Sequence, residues 1–155
     1  MKKIMSIDPS IRNCGWAVLD DKLKLIEYGL IQTKLPNWTD NCQVVWDKLY
    51  EAYSKEWPQE VIIEYPELHA GMAAVAARES GAIFKLSFVC GGIFSLLREI
   101  AVIKLVTPSK WKGQLTKELT RKRLYRIYPE IVDKNLDHNI VDAIGIGYYT
   151  LMDRE

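Results

Sequence analysis

Apolar residues fall in short blocks over the first part of the chain. Ile4-Met5-Ser6-Ile7 runs into Asp8-Pro9-Ser10, and Cys14-Gly15-Trp16-Ala17-Val18-Leu19 follows a polar turn. These blocks predict strands over residues 3–8 and 14–20. Leu23, Leu25, Ile26, Tyr28, Leu30 and Ile31 carry a third strand over Lys22 to Gln32, with Asp20-Asp21 as the turn, so an antiparallel meander is expected. Pro9 has no N–H to give a central ladder, so the first strand should stop at Asp8 and leave that carboxylate within reach of solvent or a ligand.

The pattern then changes period. Pro36-Asn37-Trp38-Thr39 breaks the strands, and Thr39 or Asp40 is placed to cap a helix running to about Trp57, with Val44, Val45, Leu49, Ala52 and Tyr53 on its apolar face. Glu60 to Glu64 reads as a short buried strand that again ends in a carboxylate, Glu64, before Tyr65-Pro66. Tyr65 to Arg78 reads as a loop merging into helix beside Glu64. Glu79 to Glu99 is the longest periodic segment, and Gly91 and Gly92 within it permit another backbone to come close. That surface either faces the sheet or mates with a second copy, and its candidate contact residues are Ile83, Ser87, Gly91 and Phe94.

Ala101 to Val106 predicts a strand leading into Thr107-Pro108-Ser109, which starts a short helix that Trp111-Lys112-Gly113 ends. Thr116 or Thr120 caps a basic helix that continues to Tyr128, where Pro129 stops it. Asp137 to about Met152 is the last helix. Three strands, helix, strand, helix, strand and helices make an α/β fold with a mixed five-stranded sheet flanked by helices. With 155 residues, 48% of them hydrophobic, one core and one domain over 1–155 are expected.

Charge sharpens this picture through its distribution, since the net charge is only +1. Residues 40–67 hold seven acidic and two basic side chains, a net of −5, whereas residues 98–126 hold nine basic and two acidic, a net of +7. A basic half beside a local acidic centre suits phosphates. Cys14, Cys42 and Cys90 form no paired metal pattern and read as free thiols in a reducing compartment. Nothing orients a cysteine with His69 or His138 as a nucleophilic pair, and no glycine-rich phosphate loop with its lysine is present. A soluble cytoplasmic protein is expected, in the host-cell cytoplasm if a phage encodes it, with no membrane association.

Asp8 and Glu64 end strands, and Asp142 lies on the last helix, where His138 precedes it by four positions and Asn139 by three. Close carboxylates repel one another unless they share protons or cations. Magnesium favours such oxygen ligands and bridges to phosphate, so a two-ion centre for phosphodiester hydrolysis is the chemistry these residues fit, with manganese as an alternative ion. Asp8, Glu64 and Asp142 are the candidate metal ligands, with Asn139 or His138 as the fourth. Lys112 is placed to approach the scissile phosphate, and Lys110, Lys117, Arg121, Lys122 and Arg123 to hold flanking backbone. Trp111 either stacks on an exposed base or anchors packing.

In order and spacing, these segments resemble the RuvC-type Holliday-junction resolvases of the RNase H-like superfamily, especially short phage or prophage relatives. Ser6-Ile7-Asp8-Pro9-Ser10 with Cys14-Gly15-Trp16-Ala17 resembles the first catalytic strand and its return, and Val61-Ile62-Ile63-Glu64-Tyr65-Pro66 the second acidic strand. Thr107-Pro108-Ser109 with Trp111-Lys112-Gly113 resembles the segment before the basic helix, and His138-Asn139-Ile140-Val141-Asp142-Ala143-Ile144 the final catalytic helix. The resemblance implies an endodeoxyribonuclease with Asp8, Glu64, Asp142 and Lys112 as catalytic residues. It also implies a homodimer with two active centres acting on four-way DNA. It departs at Asn139, where the family often has an acidic residue, and His138 is the neighbour placed to take over part of that role. The competing readings are an RNase H-like nuclease of flaps, forks or RNA-containing duplexes, and a junction-binding accessory protein with a weakened centre.

Overall fold

The three blocks of the first part of the chain form the expected meander: β1 (Lys3–Asp8), β2 (Asn13–Asp20) and β3 (Leu25–Gln32), each antiparallel to the next. The structure is a computed structural model that describes residues 1–67, 75–76 and 79–153. β4 (Glu60–Glu64) pairs with β1 in parallel, and β5 (Val102–Val106) pairs with β4 in parallel. The result is one mixed five-stranded sheet in the order β3-β2-β1-β4-β5, with the two acid-bearing strands side by side at its centre.

The helices are α1 (Trp38–Glu56), α2 (Ala82–Leu97), α3 (Pro108–Lys112), α4 (Lys117–Ile127) and α5 (His138–Met152). Several boundaries differ from the sequence reading for local reasons. β3 starts at Leu25 because the Asp20 carboxylate accepts from the backbone N–H groups of Lys22 and Lys24, at 2.9 and 2.8 Å, and Leu23 takes a left-handed φ of 64°. Asn37 caps α1, its side chain accepting from Thr39 N–H at 3.4 Å, in place of Thr39 or Asp40. α2 starts at Ala82, after Gly81 at a left-handed φ of 68°, and not at Glu79. A 3-10 turn over Pro129–Lys134, unforeseen from the sequence, follows the basic helix. Of Thr116 and Thr120, Thr116 caps α4, and Asp137, expected as the first residue of the last helix, is the cap of α5. Most of the segment read as a loop merging into helix, residues 65–78, lies outside the described residues.

The two-residue period of the strands decides which helices meet which side chains. Met5, Ile7, Val18, Ile31, Val61 and Ile63 point to one face, where they pack with Cys42, Val45, Leu49 and Tyr53 of α1 and Val89, Ile93 and Leu97 of α2. Ile4, Ala17, Leu19 and Ile62 point to the other, beneath α5, with Leu124 of α4 and Trp111 of α3. Asp8 has the parity of Ile4 and Ser6, and Glu64 that of Ile62, so both carboxylates belong to the α5 face. Cys14, Cys42 and Cys90 are all buried free thiols. Among the described residues no helix is long and apolar enough to cross a membrane.

Candidate active site

α5 lies directly on β1 and β2, and small residues make that approach possible. A Cβ at Gly15 would sit 2.1 Å from the Asn139 carbonyl oxygen, and one at Gly147 would meet Leu19 Cδ1 at 2.6 Å and Ser6 Oγ at 2.7 Å. In their place the buried Ser6 hydroxyl donates to the Ala143 carbonyl at 2.7 Å. This bond ties β1, two residues before Asp8, to the residue after Asp142. The register pairs Asp8 with Gly15 and Ile7 with Ile63, which puts Asp8 one strand from Glu64 at the same sheet edge.

The three acidic residues therefore act on one another. Burial holds the Asp8 carboxyl well above the usual carboxylate range, and the negative charges of Glu64 and Asp142 push it further the same way. Lys117 and Lys112 offset part of this, Lys117 being the stronger of the two at Asp8. Glu64 is raised mainly by burial and also by Asp142, against the Trp111 N–H, Lys112 and Lys117. Such a set is under-neutralised. It is also built of oxygen donors, with the buried Cys90 thiol pushed up to about 12 by burial and donating to the Glu64 carbonyl at 3.5 Å. A hard divalent cation suits these ligands better than a soft one. Among the described residues, no group of three or more His, Cys, Asp or Glu side chains is drawn close enough to hold a metal ion by itself. The centre is instead an open group of mutually repelling acids.

Of the two readings of Trp111, the packing anchor is the one its surroundings fit. It is only 5% exposed, packs against Gly145 of α5, and donates its indole N–H to the Glu64 carboxylate. A buried ring so engaged does not serve as a stacking platform for an exposed base. Trp111 instead fixes one oxygen of Glu64, as a partner in the outer shell of a metal site does. A second link that the sequence did not reveal joins the same elements: Glu67 accepts from the Ser109 hydroxyl at 2.9 Å and from its backbone N–H at 3.2 Å. Together these bonds hold α3, and with it Lys112, against the exit of β4.

The remaining site residues divide by location. Lys117, Arg121, His138 and Asp142 line one cavity of about 250 Å³, and Arg121 is held there by donating to the Leu136 carbonyl at 2.9 Å. The Asn139 amide N–H₂ donates to Asp137 at 2.8 Å, which orients the side chain and leaves its oxygen as the atom able to meet a cation. His138, with a side chain 55% exposed, stands at the rim. Lys110 lines a different cavity with Lys104, Thr150 and Asp153, while Lys122 pairs with Glu118 at 2.7 Å on the exposed side of α4, where Arg123 is also exposed. On α2, Gly92 is covered from within the chain, as a Cβ there would fall 2.1 Å from the Trp46 ring. Gly91 is open, and with Ser87 and Phe94 it borders a cavity of about 340 Å³ beside Leu105 of β5. Ile83 is half-buried one turn before Ser87.

A meander joined to two parallel strands, with acids at the ends of the central pair and a third on the covering helix, is the RNase H-like nuclease arrangement. The chain belongs to the RuvC family of crossover junction endodeoxyribonucleases. It is 33% identical over 153 residues to the RuvC crossover junction endodeoxyribonuclease of Aliarcobacter butzleri strain RM4018, a match covering 94% of this chain and 95% of that protein. It is 31% identical over 155 residues to that of Campylobacter hominis, covering 94% and 92%. T. thermophilus RuvC in complex with Holliday junction substrate has the same fold at 15% identity, with a TM-score of 0.77 over 99% of this chain and 96% of that one. No family model matches the sequence.

Proposed function

We propose that this chain resolves four-way DNA junctions as a divalent-cation-dependent endodeoxyribonuclease, with Asp8, Glu64 and Asp142 as its metal-holding carboxylates. The observation that carries the assignment is the register that sets Asp8 beside Glu64 at one sheet edge, with α5 and its Asp142 tied over β1 by the bond from Ser6 to Ala143. Two Mg²⁺ ions, or Mn²⁺ in their place, would activate the attacking water and steady the departing oxygen. Asp8, Glu64 and Asp142 would hold the ions, with Asp8 as the carboxylate best placed to be shared between them.

The chain's own groups do the rest. Trp111 holds the Glu64 carboxylate in one orientation, and Ser6 holds α5 so that Asp142 faces the sheet edge. Lys112 and Lys117 draw a phosphate toward the acids and balance the charge that builds up there. Arg121 extends this cationic side, with Lys122 and Arg123 further along α4 and Lys110 at the flank behind Trp111. Asn139, through its amide oxygen, or His138 would serve as the fourth ligand. A homodimer supplies the paired cuts, joined through the α2 face that includes Ile83, Ser87, Gly91 and Phe94. The exposure of Phe84 (73%) and Phe88 (49%) on the same helix favours a covered surface.

The test is a cleavage panel of labelled four-way junctions, forks, flaps and RNA–DNA duplexes with Mg²⁺, Mn²⁺ or chelator. Paired nicks in the four-way junction, lost in chelator, are expected. Preferential cutting of flaps or hybrids would replace the resolvase reading with a different nuclease of the same fold, and cutting in chelator would remove the metal.

A further inference from the structure

Another cleft opens beside the loop that follows Asp8, on the side of the sheet that carries α1 and α2 and not α4, and its lining has no part in the site as described above. Its volume is about 460 Å³, and its walls include Pro9, Ser10, Arg12, Trp38, Lys85 and Leu86. Pro9 and Ser10 directly follow Asp8, so the cleft continues the edge at which the acids meet. Among the described residues lining it there is no carboxylate, while it holds two cations, Arg12 and Lys85. The exposed Arg12 side chain makes no ion pair among the described residues, and Lys85 lies over the Trp38 ring with its Nζ 5.8 Å from the centroid.

The walls are built rigidly. Ser10 Oγ accepts from the backbone N–H groups of Arg12 and Asn13, at 3.3 and 3.2 Å. The Thr33 backbone N–H donates to the Arg12 carbonyl at 2.9 Å, and its hydroxyl donates to the Ile11 carbonyl, so the loop after Asp8 is pinned to the end of β3. On the facing wall the Asn41 side chain holds both the N–H and the carbonyl of Leu35, each at 2.9 Å, fixing the approach to Trp38. Trp38 in turn meets Phe88 edge-on at 5.4 Å. Two cations on a fixed frame lose little entropy when they take up an anion.

We propose that this cleft is a phosphate subsite for the DNA strand that passes over Asp8, with Arg12 and Lys85 holding backbone phosphates on the side of the cut away from α4. This rests on the nuclease reading of the site and deepens it. A strand bent over a recessed carboxylate needs a grip on both sides of the cut, and the cations of α3 and α4 supply only one. The contacts are to backbone, so they carry affinity and register with no base preference.

The test is equilibrium binding of the full chain to a labelled four-way junction in chelator over a series of salt concentrations, beside cleavage of the same DNA with Mg²⁺. For the R12Q/K85Q double variant, which keeps both stems, we expect affinity to fall by about ten-fold and the slope of log affinity against log salt to shrink by roughly 2. R12Q alone, at an exposed position with no ion-pair partner among the described residues, should shrink it by about 1 and remains readable if the double variant melts early. K22Q/K24Q removes the same charge from the turn at the far end of the sheet and should leave the slope as it was. An unmodified chain that binds and cuts the junction while R12Q and R12Q/K85Q match it in slope overturns the cleft alone. So does an equal loss in K22Q/K24Q, which would mark a net-charge effect. An unmodified chain that holds no DNA overturns both readings.

Discussion

Helices α2 and α5 are both apolar along most of their length, and each carries two glycines, Gly91 and Gly92 in one, Gly145 and Gly147 in the other. In α5 both glycines are pressed against neighbours, Gly145 by the Trp111 ring and Gly147 by Leu19 and Ser6, and most of the helix is buried. In α2 only Gly92 is covered, Gly91 has open space beside it, and Phe84 stands 73% exposed. The same composition thus serves two purposes. α5 is seated closely on its neighbours, with no room for a methyl at either glycine, whereas α2 seals one side of the core and leaves its other side exposed.

Filling the glycines separates the two cases, and the largest effect belongs to α5. Gly147→Ala should destabilise the fold by about 1–3 kcal/mol, since the new methyl meets side chains with little room to yield, and thermal or urea unfolding reads this directly. Cleavage should fall with it as α5 lifts and Asp142 leaves the acid group. Trp111→Phe keeps the packing against Gly145 but removes the N–H on Glu64, so we expect cleavage to slow by about ten-fold or more with little change in junction affinity. Restoration of the wild-type rate by high Mn²⁺ would be the mark of a loosened ligand. Gly91→Ala acts the opposite way to Gly147→Ala. With nothing within 4 Å of the new Cβ, it should stabilise the monomer by about 0.5–1 kcal/mol through helix propensity, and sedimentation shows whether it weakens self-association at the same time.

The acid group itself makes a prediction of sign. Asp8 has its folded pKa raised above the unfolded value, so its contribution to stability is fully present below the unfolded pKa and is lost as pH rises through the folded one. Metal-free protein should therefore melt lower as pH climbs from acid toward and past the raised value. Asp8→Asn mimics the neutral carboxyl, and in chelator it should melt higher than wild type at neutral pH with a flatter pH profile. Added divalent cation should narrow the gap by stabilising only the wild type. Melting curves across this range, with and without the cation, check both statements.

Much of this was legible in the sequence, for identifiable reasons. Strand blocks ending at Asp8-Pro9 and at Glu64-Tyr65-Pro66 announce both the elements and the carboxylates at their ends, because proline and the two-residue period act locally. Counting parity from Ile4 to Asp8 and from Ile62 to Glu64 also predicts that the two acids share a face. The orientation of Trp111 was not legible, since nothing near it in sequence says that Gly145 leaves room for its ring or that Glu64 awaits its N–H. Glu67 serving α3 across the sheet edge, and Gly92 lying under Trp46, are likewise products of packing between distant segments. The cap on α1 moved to Asn37 because Asn41 also draws that turn together, its amide donating to the Asn37 carbonyl at 3.0 Å.

The central claim is that Asp8, Glu64 and Asp142 form one cation-holding centre, and cleavage set against binding tests it most directly. Asp8→Asn, Glu64→Gln and Asp142→Asn, each near-isosteric, should retain detectable binding to a labelled four-way junction while losing Mg²⁺-dependent nicking by at least about a hundred-fold. Undiminished nicking by the Asp8→Asn protein would contradict the account.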